Sequence, residues 1–162
     1  MPQNNILTVF YSWSGNVRNV ANLIQQKIGG DLLELILQKP YSSDYKTCAN
    51  EAVRDKKMKA RPELSIKIPP IDKYSVIIIG YPNWIGTIPM PIATFLEGQD
   101  LSGKTILPYC CHGGGGVEKS VSDIIKLSPQ AKVLEPLNVR DGDNKSLEDN
   151  ISAWLKKNGI VE

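Results

Sequence analysis

Four short apolar runs rich in β-branched residues recur along the chain: Ile6–Tyr11, Leu32–Leu37, Val76–Gly80 and Thr105–Cys110. Their length and composition predict strands, and two are almost continuously apolar, as strands covered on both faces are. A weaker fifth run, Lys132–Val139, contains Pro136 and belongs at a sheet edge or a bulge. Pro108 inside the fourth run demands either a bulge or a missing ladder bond. Between the runs the apolar period changes from 2 to 3.6. Val17, Val20, Ala21, Ile24 and Ile28 form one helical stripe that Gly29-Gly30 can stop. Val117, Val121, Ile124 and Ile125 form a second, with Pro129 beyond it. Leu147, Ile151, Trp154 and Leu155 form a third, capped by Ser146 and ending near Gly159. Residues 44–60 and 89–97 are shorter helix candidates.

Strand–helix alternation of this kind closes through right-handed crossovers. The expected fold is therefore a three-layer α/β/α sandwich around a five-stranded parallel sheet of order 2-1-3-4-5. No linker, repeat or low-complexity stretch divides it, so residues 1–162 read as one domain. In such sheets ligands bind beyond the carboxyl ends of the strands, where the winding reverses between the first and third strands. The loops after strands one, three and four are where chemistry is expected.

Composition narrows the function classes. With 41% apolar and 22% charged residues over 162 positions, the chain needs neither disulfides nor a structural metal to fold. A net charge of +2 is too small to imply nucleic acid, and no apolar run is long enough to span a membrane. The start, Met1-Pro2-Gln3-Asn4-Asn5, lacks the basic and apolar regions of a secretion signal, and a cytoplasmic location is expected. Cys48, Cys110 and Cys111 are an odd number. Neighbouring Cα atoms lie about 3.8 Å apart, shorter than the usual ~4.4–6.8 Å of a disulfide, so a bond between Cys110 and Cys111 would be strained and buried thiols are expected. One cluster of cations stands out: Arg54, Lys56, Lys57, Lys59 and Arg61, with Asp55 among them. It reads either as a solvated helix face or as a docking patch for an anionic partner or a nucleotide phosphate.

The first loop, Ser12-Trp13-Ser14-Gly15-Asn16-Val17-Arg18, joins a strand to a helix. Unpaired N–H groups at a helix start favour an anion, Gly15 lets the backbone approach it closely, and two hydroxyls add donors. The same residues would also make an ordinary N-cap turn. The third loop, Gly80-Tyr81-Pro82-Asn83-Trp84-Ile85-Gly86-Thr87-Ile88-Pro89, presents Trp84 either for stacking on a flat heteroaromatic ring or for packing on the sheet edge. The fourth, Cys110-Cys111-His112-Gly113-Gly114-Gly115-Gly116, gives backbone access along a planar ring edge. Three consecutive Cys and His residues cannot easily converge on one metal ion, so no metal site is expected.

In combination the three loops resemble those of the flavodoxin-like FMN-binding proteins, of the short-chain kind, over nearly the whole chain. The resemblance rests on Ser12-x-Ser14-Gly15-Asn16, on Pro82 to Pro89 and on His112-Gly113-Gly114-Gly115. It implies FMN as cofactor. The phosphate would be held by Ser12, Trp13, Ser14, Gly15, Asn16, Val17 and Arg18. The ring would lie among Pro82, Asn83, Trp84, Ile85, Gly86, Cys111, His112, Gly113, Gly114 and Gly115, covered by Trp84. No acid–base residue is expected to be indispensable, although His112 or Cys111 would sit where it can tune the ring.

The implied function is electron transfer with a redox partner protein or a small acceptor such as a quinone, by a monomer or homodimer. The alternatives are an FMN-dependent NAD(P)H:quinone or nitro-compound reductase and a non-catalytic binding module, so whether the chain is an enzyme stays open. Three departures from the family pattern bear on this. Val17 replaces the usual threonine and removes a phosphate hydroxyl. Ile85 stands where many relatives carry a second aromatic. The chain is slightly basic, whereas carriers of this family are typically acidic.

Two other motifs fail on context. Gly98 to Thr105 spells a nucleotide phosphate loop, but its Lys104-Thr105 end opens a strand rather than a helix. The glycine run at 113–116 breaks the dinucleotide pattern because position 118 is Glu. A phospho-receiver domain would need an aspartate at the end of the third strand, where Gly80-Tyr81 stands.

Overall fold

The computed structural model describes residues 5–142 and 144–161, so the start Met1–Asn4, read above for a leader signal, lies outside the described residues. Its elements run β1 (Ile6–Phe10), α1 (Asn16–Ile28), β2 (Asp31–Glu34), α2 (Tyr45–Met58), β3 (Val76–Pro82), α3 (Met90–Gly98), β4 (Thr105–His112), α4 (Ser120–Leu127), β5 (Lys132–Val133), β6 (Leu137–Arg140) and α5 (Leu147–Lys157). The sheet is parallel throughout, in the order β2-β1-β3-β4, with β5 and β6 both paired to β4. Helices α1 and α5 bury their apolar stripes on one face, and α3 and α4 cover the other. The expected sandwich and strand order are present.

The predicted fifth strand is split. Val133 pairs with Ile106 and Leu137 with Tyr109, so four steps along the edge strand oppose three along β4. That one-residue surplus is an edge bulge at Pro136. Even-numbered residues of β4 face this edge, since the carbonyls of Lys104, Ile106 and His112 accept from Lys132, Leu134 and Asp141. The nitrogen of Pro108 therefore faces the interruption, and its missing donor breaks no bond in the ladder with β3. The two prolines share one defect.

Other boundaries also moved. The second run stays on β1 only through Leu35, whose N–H reaches the Phe10 carbonyl at 2.8 Å. Ile36 and Gln38 then exchange backbone bonds with Ser65 and Glu63, and Leu37 bridges Leu64 in antiparallel sense. Helix α4 starts at Ser120 because the glycine-rich segment before it uses left-handed turns at Gly116 and Glu118. Ile125 was expected on its buried stripe but is 49% exposed. Successive helical residues are about 100° apart, so only Ile124 of the pair reaches the sheet. Ser146 precedes α5 without a side-chain cap bond.

The phosphate-loop lookalike is structural. Lys104 is 9% exposed, and its ammonium donates to the carbonyls of Tyr74, Ile71 and Asp72 at 2.6, 3.0 and 3.4 Å. It ties the start of β4 to the segment entering β3. Replacing Lys104 with Met leaves three carbonyls without their donor and is expected to cost about 2 kcal/mol in urea unfolding. An unchanged midpoint would contradict this structural role.

Candidate functional site

Parallel strands bring the loops after β1, β3 and β4 to one edge. In the first loop Gly15 has φ 99°, a left-handed turn that starts α1. The Ser12 hydroxyl accepts from the N–H groups of Gly15 and Arg18 at 3.1 and 3.3 Å. The N–H groups of Ser14, Asn16 and Val17 bond to no other described residue and remain available at the positive end of the helix. The Val17 side chain is buried in the α1 stripe, but its carbonyl accepts from the Tyr109 hydroxyl at 3.0 Å. The ring of Tyr109 lies across Gly80, where an added Cβ would sit 2.0 Å from it. Only glycine fits under that ring.

Two first-loop side chains are bonded to partners outside the loop. Trp13 donates its indole N–H to the Ser42 carbonyl at 3.0 Å and packs edge-on against Tyr45. Arg18 makes a two-pronged pair with Glu34 at 3.0 and 2.5 Å, which raises its pKa and commits its charge beside the end of β2. A hollow of about 400 Å³ along this loop opens on that β2 side among Ser12, Ser14, Arg18, Ile36 and Tyr41.

After β3 the chain makes a tight turn. Trp84 and Thr87 exchange backbone bonds at 2.9 and 3.2 Å, with φ of 56° at Ile85 and 80° at Gly86. This is the geometry of a two-residue turn that ordinarily carries Asn-Gly. A β-branched residue in the left-handed region is strained. The Lys56 ammonium holds the Ile85 carbonyl at 2.7 Å, and the Thr87 hydroxyl donates to the Asp123 carboxylate. Trp84 is half-buried rather than freely displayed: its indole meets the rings of Tyr41 and Tyr11 edge-on at 5.1 and 5.5 Å.

The third and fourth loops are laced together through Asn83. Its backbone N–H donates to the Cys111 carbonyl at 2.8 Å. Its side-chain amide donates to the Gly116 carbonyl at 2.7 Å and to Glu118 at 3.0 Å. Asn83 thus fixes the rim and has little donor capacity left over. The Gly86 carbonyl accepts from the Lys119 N–H, a second tie. An added Cβ at 115 would lie 2.5 Å from the Glu118 carboxylate and would make that side chain shift.

Cys111 corrects an expectation. It belongs to β4, is 1% exposed and packs in the layer between the sheet and α1 and α5, so its thiol does not reach the rim. Cys110 points to the opposite layer. All three cysteines are free and buried, and burial pushes the Cys48 and Cys110 thiols up to about 11 and 12. His112 ends β4, and its Nδ1 accepts from the Gly114 N–H at 3.0 Å, which assigns the ring proton to Nε2.

Sequence reasoning missed four residues here. Tyr109 pins α1, and Tyr81 on the other face donates to the Ser120 hydroxyl at 2.9 Å and pins α4. Glu118 braces the glycine loop. Asp141 donates its N–H to the His112 carbonyl at 2.7 Å. Burial raises the Asp141 carboxyl pKa, while Asn16 and His112 beside it pull the other way. It therefore bridges the first loop and the end of β4. The only signal for Tyr109 was its place in an apolar strand, and Tyr81 was read as the start of the third loop. Among the described residues, no group of three or more His, Cys, Asp or Glu is placed to hold a metal ion.

A flavodoxin family model matches residues 5–158. The chain belongs to the flavodoxin family. A candidate flavoprotein from Bacteroides eggerthii is 30% identical, with 98% of this chain and 99% of that one aligned at a TM-score of 0.82. A Lactobacillus acidophilus flavoprotein solved in complex with FMN is 21% identical over 93% and 98% of the two chains, at 0.77. The FMN-bound flavodoxin of Fusobacterium nucleatum shares the fold at 13% identity and 0.57, over 94% and 95%. A search of curated protein sequences gives no match.

Two outcomes follow from the site geometry. Ile85→Asn places a residue that tolerates the left-handed turn and is expected to raise stability by about 1 kcal/mol in thermal unfolding; a lower midpoint would mean the turn is not strained. Asp141 has a folded pKa above its ordinary 3.8, so its contribution to stability is full below pH 3.8 and is lost as pH rises through the folded value. Asp141→Asn should therefore gain on the parent chain in melting temperature as pH increases from 3.8 to neutrality, and a difference independent of pH would contradict this.

Proposed function

We propose that this chain binds FMN at the joined rim of the three loops and works in electron transfer. The observation that carries the reading is the first loop. Three backbone donors, those of Ser14, Asn16 and Val17, stand free at the N-terminal end of a 13-residue helix. Gly15 beside them keeps the approach open, and the Arg18 guanidinium, 3.8 Å from where a Cβ at Gly15 would sit, is bonded to Glu34. A phosphate monoester fits this donor set, because a helix start supplies both hydrogen bonds and a favourable dipole. Val17 contributes its N–H although its side chain is apolar, so the departure from the family pattern removes one hydroxyl and spares the backbone cradle.

The rest of the rim suits a flat ring. The strained Ile85-Gly86 turn, the glycines at 113–115 and His112 present backbone groups along one edge, and Trp84 with Tyr11 and Tyr41 forms an aromatic flank. FMN when bound supplies one- or two-electron transfer at its ring. The protein's part is to hold the phosphate, fix the ring against the rim and limit water there. His112, whose Nδ1 is taken up by the Gly114 N–H, presents its Nε2 as a donor at the end of β4. The three buried thiols suit a reducing compartment such as the cytoplasm.

The test is a titration of the purified chain with FMN and with riboflavin, followed by flavin fluorescence. FMN is expected to bind about 100-fold more tightly, the worth of several charge-assisted bonds to the phosphate. Equal affinity would remove the phosphate cradle, and no uptake of either flavin would favour a non-catalytic binding module. Mixing the FMN-loaded chain with NADPH and a quinone then separates carrier from reductase: a carrier stays oxidised, whereas steady turnover would assign a reductase.

A further inference from the structure

The cationic run of α2 has a structural counterpart on α4. A cavity of about 350 Å³ lies beside the Ile85-Gly86 turn, and Lys56, Lys59, Arg61 and Lys126 all line it. One carboxylate, Asp123, lines the same cavity, and three more stand nearby with partners of their own. Glu97 pairs with Arg61 at 2.7 Å, Asp123 accepts from the Thr87 hydroxyl, Asp55 accepts from the Tyr41 hydroxyl at 2.6 Å, and Glu51 accepts from the Ser42 N–H at 2.8 Å. Lys56, Lys57, Lys59 and Lys126 form no ion pair with a described carboxylate. Four cations to one carboxylate line the cavity, so its field is positive in a chain whose net charge is only +2.

Apolar exposure is concentrated on the same helices and turn. Of the six exposed large apolar residues among those described, Tyr45, Val53 and Met58 lie on α2, Ile85 forms the turn, and Ile125 adjoins Lys126. Cations in the last turns of α2 and α4 also complement the helix dipoles, which accounts for their sign there. It does not account for apolar side chains exposed among them. Apolar contacts within a charged surround, next to a redox rim, have the composition of a transient docking surface.

We infer that this surface, from α2 across the Ile85 turn to Lys126, docks an acidic redox protein that presents carboxylates around its own electron-transfer centre. The inference rests on the electron-transfer reading above. Lys56 gives the surface a direct line to the site, because a carboxylate that draws its ammonium also draws it from the Ile85 carbonyl, which it holds at 2.7 Å.

The experiment measures binding of an acidic plant-type ferredoxin to the flavin-free and the FMN-loaded chain by isothermal titration, with basic cytochrome c as the counter-probe. Using the flavin-free chain keeps this test separate from the question of FMN uptake. The ferredoxin is expected to bind both forms, and to weaken about tenfold or more between 20 and 200 mM salt, as screened charge pairs do. The triple variant K57E/K59E/K126E should weaken it at least about tenfold, with unchanged FMN uptake and a melting temperature lowered only by the loss of favourable charge at the two helix ends. Binding insensitive to the triple variant, preference for cytochrome c, or no binding of ferredoxin would overturn the inference. So would displacement of the ferredoxin by adenosine 2′,5′-bisphosphate at equal concentration, which would assign the cavity to a nucleotide phosphate instead.

Discussion

The hydroxyl of Tyr109 reaches from the middle of the sheet to the carbonyl of Val17, in the first turn of α1, and the tyrosine ring lies in the space that a side chain at Gly80 would fill. Two strands and a helix meet in that contact. It is fully buried, where an unmade hydrogen bond is costly, so the start of α1 is held against the sheet and not merely near it. The free N–H groups of the first loop inherit their position from this anchor. On the opposite face Tyr81 does the same for α4 through Ser120, so two tyrosines near the ends of neighbouring strands set the helix starts that flank the site.

The loops themselves are joined by polar ties. Asn83 binds the third loop to the fourth, Asp141 lies between the fourth strand's end and Asn16, and Lys56 secures the turn from α2. Against these ties the structure maintains a strained residue at Ile85. Strain of this kind persists only where the surroundings over-determine the backbone, and here the surroundings are the rim proposed to meet the ring. The same turn borders the cationic surface, so partner docking and ring environment are mechanically adjacent.

What the sequence made legible was what depends on period and on residues of special conformational freedom. The stripe from Val17 to Ile28 and the apolar runs determined the layers, and Gly15 and Gly86 marked turns that indeed have positive φ. Side-chain destinations were not legible. Trp84 looked displayed, but two tyrosines distant in sequence pack against it; Cys111 looked like a loop residue, but β4 continues through it. The Pro108 defect was visible, and its resolution needed the register of an edge strand twenty-odd residues away. The Tyr109 anchor was hidden because a phenol inside an apolar strand reads as core until its hydroxyl's partner is known.

The most direct measurement is a crystal structure of the chain grown with FMN. The phosphate should lie within hydrogen-bond distance of the Ser14, Asn16 and Val17 N–H groups, with the ring edge along Ile85 to Gly86 and Gly113 to Gly115. A phosphate seated instead on Arg18 in the hollow over β2, with Glu34 displaced and the free donors still unpaired, would contradict the assignment of the first loop as its cradle.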